Sequence, residues 1–293
     1  MIVTNKHGMP QTLVNLAKRD KYTKGKAHLS ATEMLNSPRI VQLRKKYDDQ
    51  VEVDVTDLIP SMWGTAMHYM VEQGKADNHI IEQRLHAEID GWHISGAIDL
   101  QTVTPNGIEI SDWKNVGVWA VMNEKVEWEQ QLNIYAWLVE EVAKKPVTKL
   151  SIVAIVNNWN KRDAKSKEGY PPARGIVLDI KLWPFEERLK FIRGRIHAHS
   201  EGQFSTDAGE ELPLCTPADM WEKPTTYAIK KDGGVRAKSV HADLEEAEEA
   251  LLKSGSGYSL EIRHGERTRC DEYCSVNKWC DQYQNYLKEK INV

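Results

Sequence analysis

Residues 110–115 read Ile-Ser-Asp-Trp-Lys-Asn, which sets Asp112 and Lys114 two positions apart just after an Asn106-Gly107 turn signal. Side chains alternate faces along a strand, so an acid and a lysine at this spacing project together. The pair suits phosphodiester hydrolysis, in which a carboxylate holds a hard divalent cation and a neighbouring ammonium orients or helps deprotonate a water. Spacing alone is weak evidence, because Asp-x-Lys arises often by chance and solvated strand faces carry such pairs.

The turn adds a physical reason for a third group. With Asn106 and Gly107 as the two loop residues of a primed hairpin, Pro105 faces Ile108, Asp99 falls opposite Lys114, and Gln101 falls opposite Asp112. Directly paired residues share a face, so Asp99, Asp112 and Lys114 project from one side. A loop one residue longer or shorter would break that parity. Two carboxylates and a lysine on one face suit Mg2+ or Mn2+, which take oxygen ligands.

The elements that position these residues follow from punctuation and periodicity. A Ser-x-x-Glu capping box at Ser30 and Glu33 predicts a helix over about 30–47, and a second helix opens after Pro60 and stops near Gly74. Residues 80–104 alternate as two strands about an Asp90-Gly91 turn, and residues 124–145 form a long amphipathic helix. Buried strands over about 149–159 and 175–183 then precede a helix over 184–202. Strands covered by helices of this length predict an α/β layer architecture with a mixed central sheet. The core with its N-terminal helical part is expected over 1–210. A C-terminal region over 211–293 contains a small α+β lobe over about 222–265, with a hairpin around Asp232, Gly233 and Gly234.

The 293 residues, 41% hydrophobic and 28% charged, are enough for one large domain with an appendage, and the apolar runs are too short to span a bilayer. The first residues lack the regions of a secretory signal, so a cytoplasmic location is expected. A net charge of -4 excludes a polycationic coat protein but not a nuclease, which grips phosphates through a local strip and through metal. Lys18, Arg19, Lys21, Lys24 and Lys26 form one such strip, which reads equally as a solvated flexible face. Most of the ten tryptophans read as core, with Trp113 facing away from Asp112 and Lys114. No phosphate-binding loop of the Gly-x-x-x-x-Gly-Lys-Ser/Thr type occurs, so any ATP-driven unwinding falls to a partner.

Four cysteines, Cys215, Cys270, Cys274 and Cys280, end the inventory. In a cytoplasmic protein such a group reads as a metal site before a set of disulfides, closing a tetrahedral zinc site or holding an iron-sulfur cube.

Four ordered pairs, Gly64 with His68, Gly96 with Asp99, Asp112 with Lys114, and Gln131 with Tyr135, resemble the RecB-type branch of the PD-(D/E)XK nuclease superfamily. That branch includes nuclease domains of recombination helicases, CRISPR-adaptation exonucleases and phage recombination exonucleases. The resemblance implies a restriction-endonuclease-like core and a Mg2+- or Mn2+-dependent deoxyribonuclease. An exonuclease is implied before an endonuclease, acting on single-stranded DNA or free ends in recombination, repair or phage replication. It also implies that His68, Asp99, Asp112 and the Trp113 carbonyl hold the metal, that Lys114 is the catalytic lysine, and that Gln131 and Tyr135 position the lysine or the strand. The cysteine spacing is similar to that of iron-sulfur members of the family, so a [4Fe-4S] cluster is favoured over zinc. Part of the family has a cysteine before a proline near the N-terminus, where this chain has Ser37 before Pro38. The competing expectation is a non-catalytic DNA-binding or scaffold protein that keeps the fold.

Overall fold

The computed structural model describes residues 1–19, 24–123 and 125–291; Lys21 of the basic strip and Glu124 at the head of the expected long helix lie outside the described residues. The elements run β1 (Ile2–Thr4), α1 (Gln11–Ala17), β2 (Leu29–Ser30), α2 (Ala31–Leu35), α3 (Pro38–Tyr47), β3 (Glu52–Asp54) and α4 (Ile59–Glu72). There follow β4 (His79–Ile89), β5 (Trp92–Thr104), β6 (Gly107–Val116), α5 (Val118–Met122), α6 (Val126–Ala143), β7 (Val147–Val156), α7 (Lys161–Ser166), β8 (Gly175–Ile180) and α8 (Phe185–Ala208). The last stretch holds α9 (Pro217–Met220), β9 (Glu222–Lys223), β10 (Thr226–Lys231), β11 (Ala237–His241), α10 (Leu244–Ser254), β12 (Tyr258–Arg263), β13 (Glu266–Arg267) and α11 (Asp281–Ile291). Two compact units result, one of residues 1–36 and 48–211, the other of residues 37–47 and 212–293. Among the described residues no helix is long and apolar enough to cross a membrane.

The first unit is built on a mixed sheet flanked by helices, in the order β2-β5-β6-β7-β8 with β4 paired to β5. β4 runs antiparallel along β5 from Ile89↔Trp92 to His79↔Thr102. On its other edge β5 pairs with β2 only at Ile94 and Ser95, and with β6 only from Leu100 to Thr104. Beyond Ser111, β6 leaves β5 and continues beside β7 alone, from Asp112↔Ile152 to Val116↔Val156. The sheet therefore forks at Leu100 and Ser111, and Asp99 and Asp112 are the first residues past the fork.

The observed register corrects the expected turn. Thr104 pairs with Gly107, so the loop residues are Pro105 and Asn106. Extended by one step, this register sets Asp99 opposite Asp112, not Lys114, and it pairs Gln101 with Ile110, not Asp112. Proline's fixed φ suits the first loop position, and the Thr104 hydroxyl accepts from the Asn106 amide (3.3 Å) while donating to the Gly107 carbonyl (3.0 Å). Only Gly107 takes a positive φ, 145°, and a Cβ there would stand 2.4 Å from the Pro146 carbonyl. The correction moves every partner by two positions, and an even shift keeps the face, so Asp99, Asp112 and Lys114 still project together.

α6 closes the unit. Its stretch Leu132–Val139 is buried throughout, with Trp137 among the largest fully buried side chains, and it packs on β4, β5 and β7 together with α2 and α8. The predicted helix over 30–47 is broken in two. The capping box forms as expected, with Ser30 Oγ accepting from the Glu33 amide (3.2 Å) and Glu33 Oε2 from the Ser30 amide (2.9 Å). Pro38 ends it, because the residues before a proline are driven to extended backbone and its ring supplies no amide donor. α3 then belongs to the second unit, where the buried Arg39 guanidinium binds the Leu212 and Pro213 carbonyls and the Asp281 carboxylate. The same unit carries the three-stranded antiparallel sheet β11-β10-β12 with α10 packed on it, α10 being capped by Asp243.

Gly107→Ala is expected to cost about 2 kcal/mol or more, because it meets both a forbidden φ and the Pro146 carbonyl. Asn106→Ala keeps an ordinary φ and is expected to cost well under that. Thermal unfolding of the two variants checks the corrected register, and equal losses would contradict it.

Candidate active site

Three neighbouring strands present a row of acids past the fork. Glu82 faces Asp99 in the β4–β5 register, although the two make no ladder pair, and Asp112 faces Asp99 from β6. Glu82 owes its missing ladder bond to a positive φ of 51°, a left-handed conformation that costs a non-glycine residue free energy and turns its side chain into the cleft. The cleft, about 310 Å³, is lined by His68, Glu82, Arg84, Asp99, Asp112, Lys114, Gln131 and Tyr135 among others.

His68 enters from α4. Its Nδ1 lies 2.8 Å from Glu82 Oε1 and 3.6 Å from Asp99 Oδ1. These three side chains form the one set of potential metal ligands among the described residues whose ligand atoms all fall within 4.8 Å of one another. Asp99 Oδ2 accepts from the Trp113 amide at 2.8 Å, which restores the hydrogen bond that the fork takes from that backbone group.

Asp112 stands outside this trio. Lys114 Nζ approaches its Oδ2 to 2.6 Å at an angle that makes no hydrogen bond, and that buried oxygen has no other partner. α6 holds the lysine from the far side. Lys114 Nζ donates to Gln131 Oε1 at 3.5 Å, and Gln131 Nε2 donates to the Tyr135 hydroxyl at 2.7 Å. Tyr135 reaches this place because Gly96 has no side chain; a Cβ there would stand 2.7 Å from Leu138 and 2.9 Å from Tyr135.

The electrostatics are those of a site built around positive charge. Burial, followed by the Asp112 carboxylate, pushes Asp99 up to about 7 against the opposing pull of His68, the Trp113 amide and Lys114. Burial also raises Asp112, and the hydrogen bond to Glu82 raises His68. Packed carboxylates with an unbonded buried oxygen, supplemented by one imidazole, fit a hard divalent cation such as Mg2+ or Mn2+.

All seven residues singled out for this site, His68, Asp99, Asp112, Trp113, Lys114, Gln131 and Tyr135, meet at the fork. Glu82 was missed, although the signal was present. The Asp90-Gly91 turn, treated as a two-residue loop, places Glu82 opposite Asp99 by the same counting that was applied to the next hairpin. Of the basic strip, Lys24 is spoken for, since its ammonium binds Glu33 at 2.9 Å and the His28 carbonyl at 3.0 Å.

The cysteines make a second candidate, wholly within the second unit. All four are free, and all line one narrow cavity together with Arg39, Met220 and Tyr283. They do not converge as a compact metal group. A single tetrahedral ion with sulfurs at about 2.3 Å holds them under about 4 Å apart, and among the described residues no set of three cysteines falls within 4.8 Å. Burial holds the Cys215 thiol up at about 11 and Cys270 at about 12, so a metal group seated there has to displace their protons. Ser37 lies against Cys215, whose thiol donates to the serine hydroxyl at 3.2 Å.

In comparison with known proteins, the family model described as the PD-(D/E)XK nuclease superfamily matches residues 11–281. No curated protein matches by sequence. Among solved structures, one titled crystal structure of SSO0001 matches with a TM-score of 0.46 and 15% identity, over 69% of this chain and 92% of that one. A phage-related exonuclease from Haemophilus somnus 129PT matches with a TM-score of 0.30 and 14% identity, over 68% of this chain and 82% of its own.

The carboxyl of Asp99 gives a pH dependence of definite sign. Metal-free, the folded protein keeps that proton up to about pH 7, whereas the unfolded chain releases it near 3.8. The folded state therefore binds more protons in between, and stability falls as pH rises through that window. Asp99→Asn removes the effect. In chelator, the melting temperature of Asp99→Asn minus that of the parent is expected to grow by several degrees from pH 5 to pH 7.5; parallel curves would rule out a raised Asp99.

Proposed function

Because the chain belongs to the PD-(D/E)XK nuclease superfamily, we propose that it is a metal-dependent deoxyribonuclease, an exonuclease acting on free DNA ends or single strands in recombination, repair or phage replication. The observation that carries this is the row Glu82, Asp99, Asp112 across three strands, with Lys114 at 2.6 Å from the last acid. The exonuclease preference and a helicase or recombination partner rest on the motif resemblance.

His68, Glu82, Asp99, Asp112 and the Trp113 carbonyl are the groups that would hold Mg2+ or Mn2+. The cation supplies Lewis-acid charge to the phosphate and acidifies water. Lys114, as the ammonium that Asp112 keeps in place, orients the attacking water and stabilises the hydroxide it becomes. Gln131 fixes the lysine from α6, with Tyr135 holding the Gln131 amide. Water gives up a proton to solvent as it adds to phosphorus, the bond to the leaving oxygen breaks, and that oxygen takes up a proton from solvent.

Lys114→Ala and Asp112→Asn are expected to lower kcat by about 10²-fold or more with the fold intact. Glu82→Gln is expected to raise the Mn2+ concentration for half-maximal cleavage by about tenfold. Digestion of end-labelled single- and double-stranded DNA with Mg2+ or Mn2+ reads both, and gives the polarity. Variants of Asp112 and Lys114 that cut as fast as the parent would sink the assignment.

We also propose a [4Fe-4S] cluster at Cys215, Cys270, Cys274 and Cys280. Four free thiols line one cavity without forming a compact three-ligand group, which favours a multi-iron cluster, whose thiolates are spread more widely, over a single zinc ion. Ser37 stands where part of the family carries an N-terminal cysteine, and Cys215 lies against it, so Cys215 can serve as the fourth ligand. Anaerobically purified protein is expected to be brown with broad absorbance near 400 nm, lost in Cys274→Ser. Colourless protein, with or without zinc, would refute the cluster.

A further inference from the structure

The cleft contains one strong cation that the proposed hydrolysis leaves without a role. Arg84 lies on β4 two residues from Glu82 and pairs with Ala97, so its side chain shares the face of the acids, and it lines the same cleft. Extending the β5–β6 register sets Lys114 level with Ala97 from the other side. The face thus carries two rows. Glu82, Asp99 and Asp112 make the first. Arg84, Ala97 and Lys114 make the second, about 7 Å further along the strands. A methyl group at its centre leaves the floor between the two cations low.

We infer that Arg84 binds the phosphate next to the one that is cut, and so fixes the substrate strand across the acid row. This rests on the nuclease reading of the site. Charge supports it. With a divalent cation bound, the three carboxylates ionised and His68 neutral, the cleft with Lys114 and Arg84 carries one positive charge, matched to a phosphodiester. Without Arg84 the loaded cleft is neutral. The chemistry fits as well. Guanidinium carries five donors in a planar fork matched to phosphate oxygens, and Ser95 Oγ at 3.5 Å is among the contacts that hold that of Arg84 in the cleft. The acids that would hold the cation, together with Lys114, are then committed to the scissile phosphate, which leaves Arg84, one row along the strands, for the neighbouring one. That phosphate is either an internal diester or a terminal monoester.

The test compares the parent with Arg84→Ala and Arg84→Lys on a short single strand bearing a 5′-phosphate or a 5′-hydroxyl, and on one with a neutral methylphosphonate linkage beside the cleavage point. Arg84→Ala is expected to raise KM about tenfold to a hundredfold with kcat changed less than about threefold. Arg84→Lys is expected to recover part of the loss. The neutral linkage should weaken the parent by a similar factor and add nothing in Arg84→Ala, since both remove one interaction. If the contrast between parent and variant vanishes on the 5′-hydroxyl strand, the phosphate is terminal; if it persists, it is internal. Stabilisation by Mn2+ should be equal in all three proteins. An unchanged KM, additive effects of variant and neutral linkage, or loss of Mn2+ stabilisation in Arg84→Ala would overturn the inference in favour of an arginine that merely supports the acids. Fluorescent-oligonucleotide binding in Ca2+ separates the two readings. A parent that binds but does not cut, with binding still weakened about tenfold in Arg84→Ala, refutes the nuclease and keeps the phosphate contact, whereas equal binding refutes the contact whatever the cleavage.

Discussion

The candidate site depends on a fork in a sheet. β5 and β6 share hydrogen bonds as far as Leu100 and Ser111 and then separate. Backbone groups exposed by such a split need partners, because an unpaired amide in a buried place costs as much as a lost hydrogen bond. Asp99 answers that need through its bond to the Trp113 amide. The acid is thus a structural element of the fork and a charge in the cleft at once, and its orientation is fixed by the backbone of the strand that carries Asp112 and Lys114. Room for a substrate and a rigid acid pair arise from the same local event.

That arrangement is electrostatically costly by itself. Asp99 and Asp112 are 6% and 2% exposed, adjacent, and only partly compensated by Lys114 and His68. Glu82 adds backbone strain at φ 51°. Neither cost is fully relieved locally. Both are carried by the long β4–β5 ladder on either side of the break and by the buried stretch of α6 pressed against the sheet. Strained, mutually repelling groups held in place by a stiff surround are what a cation-binding site requires, since the free energy of relief is then available to the bound ion.

Strand periodicity made much of this visible in the sequence. The turn at 105–107 was placed one residue late, yet the face assignment of Asp99, Asp112 and Lys114 survived because the pairing moved by an even number. A two-residue Asp90-Gly91 turn makes the position of Glu82 opposite Asp99 legible by the same count, whereas its positive φ carries no sequence signal in a residue that rarely adopts one. The break at Pro38 was legible as a proline, but the capping box ahead of it argued for one continuous helix. Assignment of residues 37–47 to the second unit was beyond local rules, since it rests on Arg39 meeting carbonyls and a carboxylate far along the chain.

Helix-borne site residues differ in kind from strand-borne ones. Two rows on a sheet face follow from register and alternation, so a sequence with clear turns specifies which side chains can meet. His68, Gln131 and Tyr135 reach the fork only because α4 and α6 dock at particular rotations, and the spacing of four between Gln131 and Tyr135 says that they share a helix face without saying what that face touches. Gly96 supplies the missing link in physical terms. A glycine in the middle of a buried strand weakens the strand and is justified by close approach, and what approaches is the ring of Tyr135. The glycine thus sets how near α6 comes to the sheet. Through the hydrogen bond from Lys114 to Gln131, and from Gln131 to Tyr135, that distance also sets the position of the lysine ammonium over Asp112.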